Sequence, residues 1–119
     1  MKRVLSGKTV APYSPAVIFD ERLVFVSGQI PEMGTEVLFE SQVKNVLDKL
    51  KAVLDQAGAG LDTVLKVTVY LTDMANFSKF NDVYKTYFPK DPPARAAIGV
   101  QALPLGVSVE VEAIAYIKK

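Results

Sequence analysis

The segment PPARAAIGV, residues 92–100, places Arg95 between two prolines and a run of small and β-branched residues. A guanidinium is planar and permanently charged, and it can hold a carboxylate through two parallel hydrogen bonds, a geometry that lysine cannot reproduce. The chain has only two other arginines, Arg3 and Arg22, and both lie in its first quarter. Taken alone, Arg95 favours an ion pair with one of the chain's acidic residues, and a clamp for a carboxylate ligand is the alternative.

Two acidic residues, Glu110 and Glu112, share one face of the last predicted strand, because alternate residues of a strand point to the same side. A carboxylate in a shielded cleft can orient a water molecule, accept its proton and return a proton to a departing group. The competing interpretation is an ordinary charged strand face in contact with solvent. The alternation offers both acids as candidates and does not choose between them.

The residue types that the chain lacks exclude several classes of chemistry. It contains no histidine and no cysteine, so it cannot form a Ser-His-Asp triad, a thiol nucleophile, a redox pair or an ordinary zinc site. The net charge is +1 and the lysines are scattered, so no basic surface typical of nucleic-acid binding is evident. No apolar run is long enough for a membrane span or a signal peptide, and we expect a cytoplasmic protein without disulfides.

Length and composition indicate a single domain, residues 1–119, that shares apolar surface with a partner. A chain of 119 residues can bury one hydrophobic core, although its surface is still large relative to its volume. Half of the residues are hydrophobic, which is a high fraction for so small a soluble domain. We therefore expect some of the apolar surface to be covered by another subunit.

The first half of the chain predicts a hairpin followed by a helix. Two β-rich runs within residues 16–28 are separated by three charged residues, as in a hairpin. From about Glu40 to Ala57 the apolar residues recur at spacings of three and four, which is typical of an amphipathic helix. Gly58 or Gly60 is expected to end this helix.

The second half begins with a strand and a second helix. Residues 64–71 are dense in β-branched side chains and predict a largely buried strand in which Leu65, Val67, Val69 and Leu71 share one side. Asp73 is a candidate N-cap for the helix, and Pro89 is expected to stop it. Aromatic residues recur along this helix at helical spacing: Phe77, Phe80, Tyr84 and Phe88.

Two further strands, at about residues 94–101 and 106–117, are joined by the turn-like segment LPLG. Together the elements predict an α+β fold in which two helices cover one face of a mixed β-sheet. On the uncovered face of the last strand, Ile114 and Tyr116 lie on the same side as the two acids, because all four residues are two positions apart. This mixture favours a subunit interface or an interfacial cleft, and the alternative is a solvated face with two incidental apolar residues.

Five segments stand in a fixed order along the chain: APYSPA at 11–16, VSGQIP at 26–31, KVTVYLTDMANFSKFNDVYKTYF at 66–88, PPAR at 92–95 and VEVEAIA at 109–115. Together they resemble the RidA/YjgF family of reactive-intermediate (enamine/imine) deaminases. The resemblance implies a chorismate-mutase-like homotrimer with three clefts between adjacent subunits. It also implies hydrolysis of 2-imino acids or their 2-enamino tautomers, released by pyridoxal-phosphate enzymes, to 2-oxo acids and ammonia. No metal and no organic cofactor is implied.

The resemblance gives the arginine and the acids separate roles. Arg95 matches the arginine that holds the substrate carboxylate, and Glu110 matches the acid that holds the attacking water. Both are therefore expected to be catalytic residues that share a cleft between subunits. We expect Glu112 to be an ion-pair partner at the subunit interface.

Other positions match residues that line the family's cleft. Tyr13 and Ser27 would offer hydroxyl groups to the substrate, although a packed interface tyrosine and a strand-end serine are the alternatives. Gly28 would let the backbone approach the ligand closely. Asn81 is expected to hydrogen-bond across the subunit boundary, whereas Tyr84 continues the aromatic stripe and is expected in the core.

The chain also departs from the family's pattern. Ala11 stands where many relatives have glycine, and Pro15 replaces a usual glutamine. After the arginine, Ala96 and Ala97 stand where familiar members often carry serine and cysteine, and Gly99 interrupts the strand. Ala97 remains a candidate substrate-binding residue, because the family role near this position also involves backbone groups. The preferred imine is left open by these differences.

Three hypotheses of function follow. The first is an imine/enamine deaminase acting on a small imino acid. The second is a non-catalytic trimer that binds small 2-oxo acids or regulates a partner enzyme, which would keep Arg95 and tolerate the loss of Glu110. The third is the ribonuclease activity reported for some relatives, against which the missing histidine and the missing basic patch both weigh.

Overall fold

The computed structural model describes residues 1–32 and 38–119 of the chain. These residues form six strands: β1 (Lys2–Leu5), β2 (Ala16–Phe19), β3 (Leu23–Gln29), β4 (Val64–Leu71), β5 (Ala94–Gly99) and β6 (Val109–Tyr116). They also form two α-helices, α1 (Phe39–Gln56) and α2 (Phe77–Tyr87). The strands build one sheet in the order β1-β2-β3-β6-β4-β5, in which β4 and β5 run parallel and the other neighbours antiparallel. The predicted α+β fold with a mixed sheet is confirmed.

The predicted hairpin is formed by β2 and β3. Their turn contains Asp20 and Glu21, both with positive φ angles, of 56° and 49°. The backbone N–H of Arg22 donates to the carbonyl of Phe19 across this turn at 3.0 Å. Two successive residues with positive φ are typical of a type I′ turn, whose twist matches that of the two flanking strands.

Helix α1 confirms the amphipathic pattern and its predicted end. Its apolar positions are buried against the sheet: Val43, Val46, Leu47, Leu50 and Leu54. Gly58, with a φ of 85°, follows the helix and takes the left-handed conformation that glycine adopts without a steric penalty. The N–H groups of Gly58 and Ala59 then donate to the carbonyls of Asp55 and Leu54. These carbonyls of the last helical turn thus have hydrogen-bond partners, as in a Schellman motif.

The start of the second helical segment differs from its prediction. The carboxylate of Asp73 accepts a hydrogen bond from the N–H of Ala75 at 2.9 Å, so it caps a short 3-10 turn, Met74–Asn76. Helix α2 continues from that turn at Phe77, and it ends at Tyr87, just before Pro89. Asp73 therefore starts the turn that leads into α2 and does not cap α2 itself.

Strand β4 has the predicted bounds, but the prediction that Leu65 shares a side with Val67, Val69 and Leu71 is wrong. The pairing of β4 with β6 shifts register between Val64 and Lys66. This irregularity turns Val64 into the core and leaves the Leu65 side chain 46% exposed. Strand β1 was not predicted, because its four residues carry two charges and have no clear alternation. The last two strands are shorter than predicted.

The two faces of the sheet differ in their cover. One face packs against both helices, and its β6 residues are buried: Val109, Val111, Ala113 and Ala115. The other face leaves large side chains exposed, including Phe25, Ile98 and Tyr116. Within the described residues no helix is both long and apolar enough to cross a membrane. The prediction of an uncovered, partly apolar sheet face is confirmed.

Candidate functional site

Four of the predicted site residues, Tyr13, Ser27, Gly28 and Glu110, line one cleft of about 600 Å³. The rest of the wall is apolar: Val10, Ala11, Ile30, Pro104 and Leu105. Such a combination of an apolar wall with a few convergent polar groups is the usual character of a small-molecule site. The cleft is therefore a candidate binding site, which we call the acid cleft.

A bulge in the sheet brings Ser27 and Gly28 into the acid cleft. Val26 pairs with Ala113 and Gln29 with Val111, so two residues of β3 lie opposite one residue of β6. Such an extra residue bends a strand locally and changes the direction of its side chains. The hydroxyl of Ser27 donates to the carbonyl of Ser14 at 2.6 Å, which leaves its oxygen lone pairs as acceptors for a ligand.

Gly28 allows the carboxylate of Glu110 to lie directly against the backbone of β3. A Cβ atom built on Gly28 would lie 2.9 Å from Cδ of Glu110 and would overlap its Oε2. A larger residue at position 28 would therefore displace the carboxylate. The predicted close approach of a ligand to Gly28 stays a prediction, and the group of the chain that lies against Gly28 is the carboxylate of Glu110.

The environment of Glu110 makes its carboxyl group a stronger base than an ordinary glutamate. Burial raises the pKa of Glu110 above its usual value, and the negative charge of Glu112 raises it further. Within residues 1–32 and 38–119, the Glu110 carboxylate has no hydrogen-bond or ion-pair partner. Glu110 can therefore hold a water molecule and accept its proton.

The neighbouring acid is engaged differently. The hydroxyl of Tyr70 donates to the carboxylate of Glu112 at 2.6 Å, and this hydrogen bond is the main reason why the pKa of Tyr70 rises to about 12. One oxygen of Glu112 is thus already used within the chain. The predicted role of Glu112 as an interface ion-pair partner stays a prediction, and Glu110 is the freer of the two acids.

Arg95 lies in a second groove, of about 380 Å³, that it shares with Asn81, Tyr84 and the two prolines 92 and 93. Its guanidinium carbon, Cζ, lies 4.8 Å from the ring centroid of Tyr84. No carboxylate within the part of the chain that the structure describes lies within ion-pair distance of Arg95. An ion pair inside the chain therefore does not explain this residue, and we call its groove the arginine groove.

Two buried polar atoms of the arginine groove lack hydrogen-bond partners among the described residues, namely Oδ1 of Asn81 and the hydroxyl oxygen of Tyr84. Tyr84 is only 6% exposed, which confirms its predicted place in the core. Burial raises the pKa of Tyr84 to about 12. An unpaired buried polar group costs about 1 to 3 kcal/mol, so each of these atoms is expected to bind a water molecule or a polar group from outside the chain.

The acid cleft and the arginine groove are not brought together within one chain. Arg95 pairs with the buried Val67, which puts its side chain on the helix-covered face. Glu110 pairs with Tyr70 on the opposite, uncovered face. Ala97 also points to the helix-covered side, where it packs against the core. Its predicted contact with substrate stays a prediction.

Four apolar wall residues, Val10, Ile30, Pro104 and Leu105, were missed by sequence reasoning. Leu105 lies in the turn Pro104–Gly106 with a φ of 58°, a conformation that costs a bulky residue about 1 to 2 kcal/mol. Its side chain is 66% exposed and lines the acid cleft. The segment LPLG predicted a turn, but nothing in it indicated a wall of the site. No group of three or more metal-ligating side chains occurs among the described residues.

Known proteins resemble this chain over nearly its whole length. The family profile described as endoribonuclease L-PSP matches residues 5–117. A RutC family protein of Pyrococcus abyssi is 46% identical over 114 residues, which cover 92% of this chain and 89% of the relative. The mouse 2-iminobutanoate/2-iminopropanoate deaminase is 44% identical over 111 residues, which cover 89% of this chain and 82% of the relative.

A solved structure agrees with these sequence matches. The crystal structure of E. coli TdcF with bound serine superposes with a TM-score of 0.89, at 30% identity, covering 98% of this chain and 99% of that one. Fold and sequence thus define one class of protein, small α+β domains with a mixed sheet of this topology. The chain belongs to the RidA/YjgF family, whose profile carries the description endoribonuclease L-PSP.

Proposed function

We propose that the protein is a homotrimer that hydrolyses 2-imino acids, or their 2-enamino tautomers, to 2-oxo acids and ammonia at sites between adjacent subunits. The observation that carries this proposal is the separation of two complementary groups on opposite faces of one sheet, a guanidinium and an acid that have no ion-pair partner among the described residues. The exposed apolar side chains of the uncovered face support contact between subunits. We expect the reaction to take place in the cytoplasm, without metal or organic cofactor.

In the proposed site, Arg95 of one subunit faces the acid cleft of the next and binds the substrate carboxylate through its planar fork. This contact fixes the position of the imine carbon, C2, relative to Glu110. The solved relative with bound serine supports a ligand of this kind, because serine also carries a carboxylate and a nitrogen on the adjacent carbon. The apolar wall of the acid cleft is then available for the substrate's side chain.

Glu110 orients the water molecule and accepts its proton while the water oxygen forms a bond to C2. The product of this addition carries a hydroxyl group and an amino group on the same carbon. The amino group forms because Glu110 passes the water's proton to the imine nitrogen. Glu110 then moves the hydroxyl proton to the same nitrogen, the C2–N bond breaks, and ammonia leaves as the C2–O bond becomes the new carbonyl. A raised pKa suits this role, because the same group must both accept and return a proton.

The proposed function is tested by a coupled assay in which threonine dehydratase generates 2-iminobutanoate. We expect the protein to accelerate the release of 2-oxobutanoate above spontaneous hydrolysis, and the name of the mouse relative supports this substrate. Glu110→Gln protein is the matched control, because it keeps the shape of the side chain and loses the base. Binding of 2-oxobutanoate without any acceleration would instead support the non-catalytic binding trimer.

The description of the family profile names a different activity, endoribonuclease. The chain has no histidine to act as a general acid or base, and its lysines are scattered along the sequence. Incubation of the purified protein with single-stranded RNA tests this alternative. We expect no cleavage above that of the Glu110→Gln variant, because the proposed chemistry of the acid cleft does not include phosphodiester hydrolysis.

A further inference from the structure

We propose that three aromatic residues of helix α2, Phe77, Phe80 and Tyr84, form a platform that fixes the orientation of the Arg95 guanidinium. We call these three residues the aromatic platform. They act as positioning residues, since their rings hold the arginine and do not themselves touch the substrate. The inference rests on the proposed function in one respect, namely that Arg95 binds a carboxylate.

The geometry around the guanidinium supports this role. Its Cζ atom lies 4.8 Å from the ring centroid of Tyr84, 5.6 Å from that of Phe77 and 5.7 Å from that of Phe80. A cation within about 6 Å of an aromatic centroid is attracted by the negative face of the ring. One guanidinium therefore has three such contacts, all from a single helix.

The ring contacts also suit the chemistry that Arg95 would perform. The N–H bonds of a guanidinium lie in its plane, so contacts with the face of the group leave its hydrogen-bonding edge free. An ion pair with an acid of the same chain would use that edge, and none is present among the described residues. The platform can thus hold the arginine without competing with a bound carboxylate.

The aromatic platform is buried at Phe80 and Tyr84 and partly exposed at Phe77. Phe80 is fully buried and Tyr84 nearly so, and their ring centroids lie 5.4 Å apart. Phe77, at the first turn of α2, is 36% exposed and contributes less to the core. A rigid platform lowers the entropy that the long arginine side chain loses when it binds a ligand.

The row of rings also supplies a matched control. Phe88 is buried and its ring centroid lies 4.6 Å from that of Tyr84, so its loss disturbs the same aromatic row. The ring contacts of the guanidinium are those with Phe77, Phe80 and Tyr84, so Phe88→Leu should leave Arg95 in place. A role in packing alone predicts that Phe88→Leu and Tyr84→Leu behave alike.

The test compares Phe77→Leu, Tyr84→Leu, Tyr84→Phe and Phe88→Leu, each first checked for folding and assembly size. For Phe77→Leu and Tyr84→Leu we expect the Kd for 2-oxobutanoate to rise about 2- to 30-fold, the range of a lost cation–π contact. Tyr84→Phe keeps the ring but loses the unpaired hydroxyl, and Phe88 lines the arginine groove, so these two variants are controls for the orientation of the guanidinium, which both should leave unchanged, and not for affinity. If Tyr84→Leu fails to fold, the partly exposed Phe77 decides the question.

A second measurement does not depend on the proposed function. The chain has three arginines, so the Nε–H signal of Arg95 can be assigned in an NMR spectrum by removing one arginine at a time. Ring currents should shift this signal in wild type, and Phe77→Leu should move it toward the signals of Arg3 and Arg22. An unshifted signal, or wild-type binding by both leucine variants, overturns the platform. Wild-type binding by Arg95→Lys would instead overturn the proposed function.

Discussion

Arg95 and Glu110 lie on opposite faces of the same sheet, on strands β5 and β6, with β4 between them. Neighbouring strands are about 4.8 Å apart, and the side of the sheet to which a residue points is set by its backbone. A change of rotamer therefore cannot bring the two side chains to one ligand within a single chain. A site that uses both residues needs two chains.

The first prediction concerns the clamp. Arg95→Lys keeps the positive charge and loses the planar fork, so it should remain folded but bind 2-oxobutanoate poorly, and Arg95→Ala should bind it still more weakly. Loss of a charge-assisted bidentate contact should cost about 2 to 4 kcal/mol, or about thirty-fold to several-hundred-fold in affinity. Titration with 2-oxobutanoate measures this loss. A peripheral ion pair predicts only about 0 to 1 kcal/mol.

The second prediction separates the two acids of β6. Glu110→Gln should lower kcat much more than it weakens the binding of 2-oxobutanoate, because the amide keeps the shape but cannot accept a proton. Glu112→Gln should retain most of the turnover at the optimal pH. Steady-state kinetics of both variants provide the comparison. Full activity in Glu110→Gln together with a loss in Glu112→Gln would reverse the assignment.

The third prediction concerns pH. Because burial and Glu112 raise the pKa of Glu110, this group becomes protonated, and inactive as a base, at a higher pH than an ordinary glutamate. Glu112→Gln removes one of the two causes and should move the acid limb of the kcat/KM profile to lower pH. The Arg3→Gln variant changes a charge far from the acid cleft and should leave the limb in place. An acid limb that does not respond to Glu112→Gln would contradict this role of Glu110.

The same shift has a consequence for stability. A carboxyl group whose pKa is higher in the folded chain than in the unfolded one binds protons more tightly when folded, so its contribution to stability falls as pH rises through the raised pKa. Ionised Glu110 is therefore expected to destabilise the fold at neutral pH, and Glu110→Gln should unfold at a slightly higher temperature at pH 7 than wild type. This difference should shrink at a pH below the ordinary pKa of glutamate.

The fourth prediction concerns the contact between Gly28 and Glu110. Gly28→Ala introduces a Cβ atom into the space of the carboxylate, so kcat should fall by about ten- to a hundred-fold as the base is displaced. Gly99→Ala is the matched control, because its Cβ would lie 3.0 Å from the flexible side chain of Met74, which can move aside. Similar kinetics for the two variants would show that the close approach of Gly28 is unimportant for catalysis.

Periodicity was sufficient to predict the two helices, the hairpin and the uncovered sheet face, because each is determined by residues close together in the sequence. The side of Leu65 could not be predicted, since it depends on a register shift against β6. The positive φ of Leu105 could not be predicted either, because the sequence around a leucine does not indicate that it adopts the left-handed conformation.

The position of Arg95 and Glu110 on opposite faces of the sheet could not be predicted from sequence patterns either. Alternation tells which residues of one strand share a face. Which residues of β5 lie on the same face as Glu110 of β6 depends on how each of the two strands pairs with β4. The aromatic stripe of α2 was visible in the sequence as core. Its position beneath the guanidinium requires the parallel pairing of β5 beside β4, which brings residue 95 against that helix.

The most direct test of the proposed intersubunit site is complementation in mixed assemblies of the proposed trimer. Arg95→Ala subunits and Glu110→Gln subunits are each expected to be inactive alone, but a mixed trimer should regain one intact site wherever a normal arginine faces a normal glutamate. In an equal random mixture about three quarters of trimers are mixed and each has one such site in three, so activity should return to about one quarter of wild type. A mixture of Arg95→Ala subunits with double-variant subunits is the control and should stay inactive. If the first mixture also stays inactive after verified subunit exchange, Arg95 and Glu110 do not act together across a subunit boundary.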